Sequence, residues 1–188
     1  MTLNAGHTVI SPVTSTPETD AVQVLVRYGS IPRVARYTMG AANTGNVDRG
    51  TGVIIATDRG QELGEILEIV PPAMAEQHES TVAVVRIATS EDLSLHSLRQ
   101  RQAAESFDLW LRRIQDWQLE LELMDIEATL DNQVYILYVL NDRGAETTRL
   151  ALLAAAAGLG IVHVQPVAAE GLVDGTGGGC GDGCGCSR

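Results

Sequence analysis

The hydrophobic pattern of the sequence changes near residue 90, and this change constrains the fold more than any other feature. From Val22 onward, apolar residues come in short β-branched runs that are bounded by turn residues, a pattern typical of strands. After residue 90 they recur at steps of three and four residues, as on one face of a helix. Strands that precede a mixture of helices and further strands predict an α+β protein.

The first part of the chain predicts a small antiparallel β sheet or barrel. Asp58-Arg59-Gly60 lies between two of its β-branched runs and predicts a hairpin reversal, because glycine adopts positive φ at little cost. Pro71 and Pro72 then end the pattern. We therefore expect a small β unit over residues 21–72, with strands at 22–28, 34–39, 53–57 and 63–70.

A second unit begins with an apolar run of strand length at 82–87. Thr89 or Ser90 is then a suitable N-cap, with Glu91 and Asp92 in the first helical turn. One long helix is predicted from this point. Its apolar stripe should dock on a sheet and consists of Ala103, Phe107, Trp110, Leu111, Ile114 and Trp117.

The rest of the second unit alternates between strand and helix patterns. An alternating strand from Leu119 slips in phase near Met124, as a bulge would cause. Asp131-Asn132 predicts a hairpin turn into a strand at 134–140, and an Ala- and Leu-rich helix at 146–157 precedes a last strand at 161–167. The order strand, helix, strand, strand, helix, strand predicts a ferredoxin-like β-α-β-β-α-β sandwich over residues 81–168.

Composition and charge argue against several classes of function. The formal net charge is −11, and the chain has one Phe, two Trp and four Tyr, so direct nucleic-acid binding is disfavoured. A small nucleic-acid-binding barrel stays as an alternative because of one local basic group, formed by Arg27, Arg33, Arg36 and Arg49. No window of the sequence is apolar enough to predict a membrane span.

The N-terminal stretch 1–20 is rich in Thr, Ser and Pro and predicts a flexible leader rather than a signal peptide. All three cysteines lie in the last nine residues, so the body of the protein has no cysteine for a disulfide. This usage predicts a cytoplasmic protein.

The C-terminal segment 169–188 predicts a Gly/Cys-rich tail with the strongest chemical signal in the chain. Cys180, Cys184 and Cys186 fall within seven residues and are interleaved with glycines. Three soft thiolates at this spacing can bind one metal, as an iron–sulfur cluster or as zinc. Both usually take four ligands, so the fourth would be His163, a solvent molecule or a side chain of a partner.

Other interpretations of the polar residues stay open. The tail could be disordered, or Cys184 and Cys186 could act as a thiol redox or sulfur-transfer pair, which is the one enzymatic role the sequence suggests. His163 alternates with Ile161 on a short strand and is more often a structural histidine than a ligand, while His7, His78 and His96 are expected to be exposed. The acidic row, defined as Glu120, Glu122, Asp125 and Glu127, is interpreted as a solvated strand face rather than a cation site.

Three segments together resemble one known family. They are Gly52–Leu67 (GVIIATDRGQELGEIL), Arg86–Leu93 (RIATSEDL) and Leu121–Asp131 (LELMDIEATLD). These segments are similar to the polymerase-suppressor-protein (PSP-one) C-terminal domain family, whose bacterial members include RicT-like proteins. The resemblance extends over about residues 22–186 and is most specific in the first segment.

The resemblance implies a non-catalytic adaptor. RicT-like proteins act with small helical partners in a cytosolic complex that carries iron–sulfur clusters and steers an endoribonuclease in RNA processing. Gly177–Gly181 matches the start of the family's cysteine segment, whereas Cys184 and Cys186 replace an adjacent cysteine pair with a split one. The resemblance therefore implies an iron–sulfur site at the C-terminal cysteines and protein partners.

Overall fold

The computed structural model describes residues 22–40, 47–71, 82–140, 144–168 and 171–172. The expected leader, the cysteines and nearly all of the expected tail lie outside these residues. The described part contains two sheets and three helices, which confirms the α+β class. None of its helices is long and apolar enough to cross a membrane.

The first sheet is antiparallel and has the strand order β2-β1-β4-β3-β5. Its strands are β1 (Val22–Tyr28), β2 (Arg33–Met39), β3 (Gly52–Thr57), β4 (Gly60–Val70) and β5 (Val84–Ile87). A bridge between Thr38 of β2 and Ala83 brings the two edges together, and Thr38 N–H donates to the Val82 carbonyl at 3.1 Å. The sheet therefore closes into a small barrel, which is one of the two forms that the sequence predicted, with β5 as an additional strand.

The barrel is filled by aliphatic side chains that alternate along its strands. Val24 and Val26 of β1, Val53 and Ile55 of β3, and Ile66 of β4 are each fully buried. Because side chains point to opposite faces at every second position of a strand, this alternation selects the inner face.

The second sheet is mixed and has the strand order β6-β7-β8-β9. Strands β7 and β8 are parallel, and the other neighbours are antiparallel. The elements after the barrel are α1 (Ser90–Glu105), α2 (Phe107–Asp116), β6 (Glu122–Ala128), β7 (Val134–Leu140), α3 (Ala145–Ala156), β8 (Ile161–Ala168) and β9 (Gly171–Leu172).

The expected ferredoxin-like arrangement is not confirmed. Its first strand would be β5, but β5 pairs with β3 of the barrel, with Val53 opposite Ile87. Local hydrophobicity predicts that a short apolar run is a strand, yet it does not determine which sheet the strand joins. The second sheet therefore lacks the strand that would complete a β-α-β-β-α-β unit.

The predicted long helix is two helices. The break is at Ser106, whose hydroxyl donates to the Ala103 carbonyl at 2.7 Å, and this local bond competes with continuation of the helix. The predicted start is correct: Thr89 is the N-cap and forms a capping box with Asp92, whose carboxylate also binds Arg86. The box satisfies backbone groups that a helix start leaves unpaired.

The two faces of the second sheet pack against different partners. Leu137 of β7 packs in one core with Trp110, Ile114 and Leu150 of the helices. Ile136 of the same strand belongs to a separate cluster that includes Tyr138 and Ile31 of the β1–β2 loop. The sheet therefore lies between the helices and the barrel.

Two predicted irregularities of the second sheet are confirmed. The pairing of β6 with β7 shifts register between Leu123 and Asp125, so the phase slip at Met124 is a bulge. Asn132 has a φ of 57° in the turn between these strands, a left-handed conformation that Asn tolerates better than most residues. The bulge sets which side chains of β6 face the barrel.

Candidate functional site at the junction of the two sheets

Arg59 is the central residue of the junction between the barrel and the second sheet. It lies at the tip of the β3–β4 hairpin, where its backbone N–H donates to the Thr57 hydroxyl at 3.1 Å. Its side chain is completely buried, with 0% exposure. A guanidinium in such a position must be paired, because an isolated buried charge is strongly unfavourable.

Glu62 of β4 supplies the opposite charge. Arg59 Nε donates to Glu62 Oε1 at 3.1 Å, and Arg59 Nη2 donates to Glu62 Oε2 at 2.6 Å. The Thr57 hydroxyl adds a third donor, 2.5 Å from Glu62 Oε1. This bidentate geometry satisfies both charges locally.

Tyr138 extends this pair into the second sheet. Arg59 Nη1 donates to the Tyr138 hydroxyl at 3.4 Å, and that hydroxyl donates to Glu127 Oε2 at 2.8 Å. The guanidinium carbon also lies 5.8 Å from the centre of the Tyr28 ring, a cation–π distance. We call the residues Arg59, Glu62, Tyr138 and Glu127 the junction network.

The pKa shifts agree with this arrangement. Burial raises the pKa of Tyr138, and the charge of Glu127 raises it further, so the phenol keeps its proton and acts as a donor. Burial would lower the pKa of Arg59, but the charge of Glu62 and the contact with Tyr138 outweigh it and raise the pKa. Burial raises the pKa of Glu62, and the Arg59 charge partly offsets this.

The turn between β6 and β7 holds the hairpin tip in place. Leu130 N–H donates to the Gln61 carbonyl at 2.8 Å, and the Asp131 carboxylate accepts from Gln61 N–H at 3.4 Å. Gly60 has a φ of +137°, and a Cβ there would lie 3.2 Å from Asp131 Oδ2. Only glycine fits this position without strain.

Glu127 connects the junction network to a cavity of about 580 Å³ between the barrel and α1. The residue is 4% exposed. Its Oε2 accepts from Ser30 N–H at 3.1 Å as well as from Tyr138, and its Oε1 accepts from Gln100 Nε2 at 3.4 Å. His96, Leu63 and other residues of both units line the same cavity.

Two expectations about polar residues are corrected here. Glu127 was expected on the solvated face of the acidic row, but the bulge in β6 turns it into the junction, while Glu120, Glu122 and Asp125 are exposed as predicted. His96 was expected to be exposed, but it is half-buried at the cavity, and burial lowers its pKa against the opposing effect of the Glu127 charge. Sequence periodicity did not show that α1 packs against β6 and β4.

His163 lies on β8 opposite Ile136 of β7. It is half-buried, and burial, followed by the charge of Arg59, lowers its pKa. The three predicted cysteine ligands lie outside the described residues, so the structure does not test whether they meet His163. Among the described residues, no three His, Cys, Asp or Glu side chains form a group that could hold a metal ion.

The four arginines of the expected basic group have different surroundings. Arg27 forms an ion pair with Glu65 at 2.6 Å, and Arg33 donates to Gln165 of the second sheet at 2.7 Å. Arg36 donates to Gln23 at 3.4 Å, whereas Arg49 lies in an exposed turn before β3. Three of the four thus contact acidic or amide groups of the protein itself.

The sequence patterns did not predict the junction network. One signal could have revealed part of it: Glu62 occupies the same face of β4 as Gly64 and Ile66, which predicts an inward carboxylate that needs a buried cation. Arg59, three residues earlier, is the nearest candidate. The partners Tyr138 and Glu127 are distant in sequence, and no local pattern connects them to Arg59.

Comparison with known proteins agrees with the resemblance seen in the sequence. Residues 82–147 match the family model of the PSP1 C-terminal conserved region, a range that contains β5, α1, α2, β6 and β7. It includes Glu127 and Tyr138 but not Arg59 or Glu62. The resemblance to the PSP-one C-terminal domain family is thus confirmed over these residues, and the matched region holds one half of the junction network.

A curated relative supports the same assignment. The chain is 25% identical over 100 residues to the stage 0 sporulation protein YaaT of Bacillus subtilis (strain 168). The alignment covers 52% of this chain and 36% of the relative, so this chain matches only about a third of that protein. No solved structure matches the chain significantly.

Proposed function

We propose that this chain is a cytoplasmic, non-catalytic adaptor of the PSP-one, RicT-like type, which binds protein partners and holds an iron–sulfur cluster at Cys180, Cys184 and Cys186. The match of residues 82–147 to the PSP1 C-terminal conserved region carries the proposal. The name of the Bacillus relative, a stage 0 sporulation protein, supports a regulatory role. By the same resemblance, the partners would be small helical subunits and an endoribonuclease complex in RNA processing.

The buried bonds that join the barrel to the second sheet support an adaptor role. Arg59 and Glu62 neutralise each other, and Tyr138 ties them to Glu127 of the other sheet. These groups join the barrel to the matched region through buried polar bonds, and such bonds require a defined geometry. A body of fixed shape is what a protein needs to hold several partners in one arrangement.

The donor set of the C-terminal segment fits a soft metal site. Three thiolates within seven residues are the ligands that iron–sulfur clusters and zinc prefer. Strand β9 runs antiparallel to β8, with Leu172 opposite Val167, so at Leu172 the chain runs toward the end of β8 that holds His163. Cys180 follows Leu172 by eight positions, a length of chain that can span about 26 Å, which is enough to reach back along β8.

Anaerobic reconstitution tests the proposal. The full chain would be treated with ferrous iron and sulfide, and iron, sulfide and the visible absorbance would be measured. We expect cluster absorbance in the wild type and its loss in Cys180→Ser, Cys184→Ser and Cys186→Ser. Ser187→Ala is the matched control and should behave like the wild type. Wild-type protein that stays colourless and free of iron would contradict the proposal.

Zinc is the second candidate, since the same thiolates bind it. Elemental analysis of protein purified in air separates the two: a colourless protein with one zinc per chain that survives air would favour the zinc-binding interaction module. His163→Asn tests the fourth ligand in either case. A lower metal affinity with unchanged folding would support His163, and an unchanged affinity would point to solvent or a partner's side chain.

A thiol redox or sulfur-transfer role for Cys184 and Cys186 predicts a different result. Disulfide exchange would be lost in the serine variants of these two residues while metal content stayed the same. The adaptor proposal predicts instead that these serine variants lose their bound metal. Thiol reactivity and metal content should therefore be measured on the same samples.

A further inference from the structure

The cavity beside Glu127 has a charge that the junction network leaves unmatched. Arg59 is the nearest guanidinium along the network, but it binds Glu62 through two nitrogens. The donors to Glu127 are the Tyr138 hydroxyl, the Ser30 backbone N–H and the Gln100 amide, and all three are neutral. A carboxylate that is only 4% exposed is costly without a cation.

The two oxygens of the Glu127 carboxylate differ in their hydrogen-bond donors. Oε2 has two donors at 2.8 and 3.1 Å, whereas Oε1 has the long Gln100 contact at 3.4 Å. An ionised carboxylate can accept about four hydrogen bonds. Oε1 therefore retains room for a donor that enters from the cavity.

The other charged residues of the cavity do not supply a counter-ion. Arg27 and Glu65 lie at its barrel side and bind each other at 2.6 Å. His96 lines the helix side and is half-buried, and its pKa is lowered, so its imidazole is neutral near pH 7. The cavity thus presents one uncompensated negative charge to whatever enters it.

Part of the remaining wall is apolar and leaves room for a body attached to the cation. Leu63, Leu93, Ala88 and Pro32 line the cavity. A Cβ at Gly52 would lie 3.4 Å from Ala88 Cβ and 3.8 Å from Leu93 Cδ2, so the absence of this atom widens the space. The volume of about 580 Å³ is within the range of sites for small organic ligands.

We propose that this cavity binds a small organic amine or guanidine, with the cationic head bonded to Glu127 Oε1 and the apolar body packed against Leu63 and Leu93. Glu65, the other carboxylate of the cavity, is paired with Arg27. Glu127 and His96 alone are too few ligands for Mg²⁺ or Ca²⁺, which take six or more oxygen ligands. A guanidinium or ammonium needs only hydrogen-bond acceptors and a fitting apolar wall. The proposal does not depend on the metal site.

Calorimetry with n-butylguanidinium and its neutral isostere n-butylurea tests the charge requirement. We expect saturable binding of the cation to the wild-type chain, at least about tenfold tighter than that of the urea. Glu127→Gln should weaken binding of the cation by a similar factor. Glu122→Gln, which neutralises an exposed carboxylate of the same strand, is the matched control and should change the affinity less than about twofold.

A second variant keeps the test decisive if Glu127→Gln does not fold. Leu93 is 48% exposed, so Leu93→Trp should fold normally while filling the cavity, and it should abolish binding. Equal affinity for the cation and the urea, or no saturable binding of the cation to the wild type, would overturn the proposal. It would also be overturned if Glu122→Gln lost as much affinity for the cation as Glu127→Gln, because the overall negative charge would then be the cause.

Discussion

The hydroxyl of Tyr138 donates to Glu127 Oε2 at 2.8 Å and accepts from Arg59 Nη1 at 3.4 Å. The first bond joins neighbouring strands of the second sheet, and the second reaches the hairpin tip of the barrel. One phenolic oxygen thus connects the two sheets through a buried path. Removal of this hydroxyl should lower the free energy of unfolding more than removal of any other hydroxyl of the same strand.

Tyr138→Phe should lower the free energy of unfolding by about 1–3 kcal/mol, because Glu127 would stay buried without its shortest hydrogen bond. Urea unfolding measures this change. Tyr135→Phe on the same strand is the control, since Tyr135 packs beside the helix core, and its loss should be smaller. Equal losses in the two variants would show that the hydroxyl of Tyr138 has no special role.

A double-mutant cycle tests whether Arg59 and Glu62 are a coupled pair. Arg59→Met alone should destabilise the fold by about 3–5 kcal/mol, because it leaves a buried carboxylate unpaired. The double variant Arg59→Met, Glu62→Met should lose less than the single variant. Additive losses in urea unfolding would contradict the pairing.

Gly64 is required by close packing between β1 and β4. A Cβ at this position would lie 2.4 Å from Val26 Cγ1, so Gly64→Ala should cost about 1–3 kcal/mol. Val26→Ala removes the clashing methyl groups, and the double variant should be more stable than the sum of the single effects predicts. Gly40→Ala is the control, because nothing lies within 4 Å of a Cβ there.

His96 should make the fold sensitive to acid. Burial lowers its pKa below the ordinary value of 6.5, and the charge of Glu127 only partly opposes this. As pH falls below about 6.5, the unfolded chain takes up the proton before the folded chain does, so stability decreases until the folded pKa is passed.

His96→Gln should therefore flatten the dependence of the unfolding free energy on pH below 6.5. The pKa of His163 is lowered as well, so replacing both histidines should flatten the dependence further than His96→Gln alone. The contribution of Glu62 is present in all three proteins and cancels in the differences. An unchanged slope in His96→Gln would contradict the burial of this imidazole.

Much of the fold could be predicted because local patterns determined it. The hairpin at Asp58-Arg59-Gly60, the capping box at Thr89 and the bulge near Met124 each depend on a few adjacent residues. The membership of β5 in the barrel could not be predicted, because it depends on pairing with β3, which is distant in sequence. A four-residue strand pairs equally well with either sheet as far as its own sequence shows.

The junction network was invisible for a related reason. Arg59 and Tyr138 are 79 residues apart, and each alone has an ordinary local role, one in a turn and one in an apolar strand. Their contact exists only after both sheets have formed. The cysteine segment differs, since the metal site expected there rests on residue type and spacing alone and stays a prediction.

The metal content of the anaerobically purified full chain tests the central claim most directly. Iron and acid-labile sulfide would be measured in the wild type and in a variant with Cys180, Cys184 and Cys186 all replaced by serine. We predict iron and sulfide in equal amounts in the wild type and neither in the variant. Wild-type protein without iron, or a variant with as much iron as the wild type, would contradict the claim that these thiolates hold a cluster.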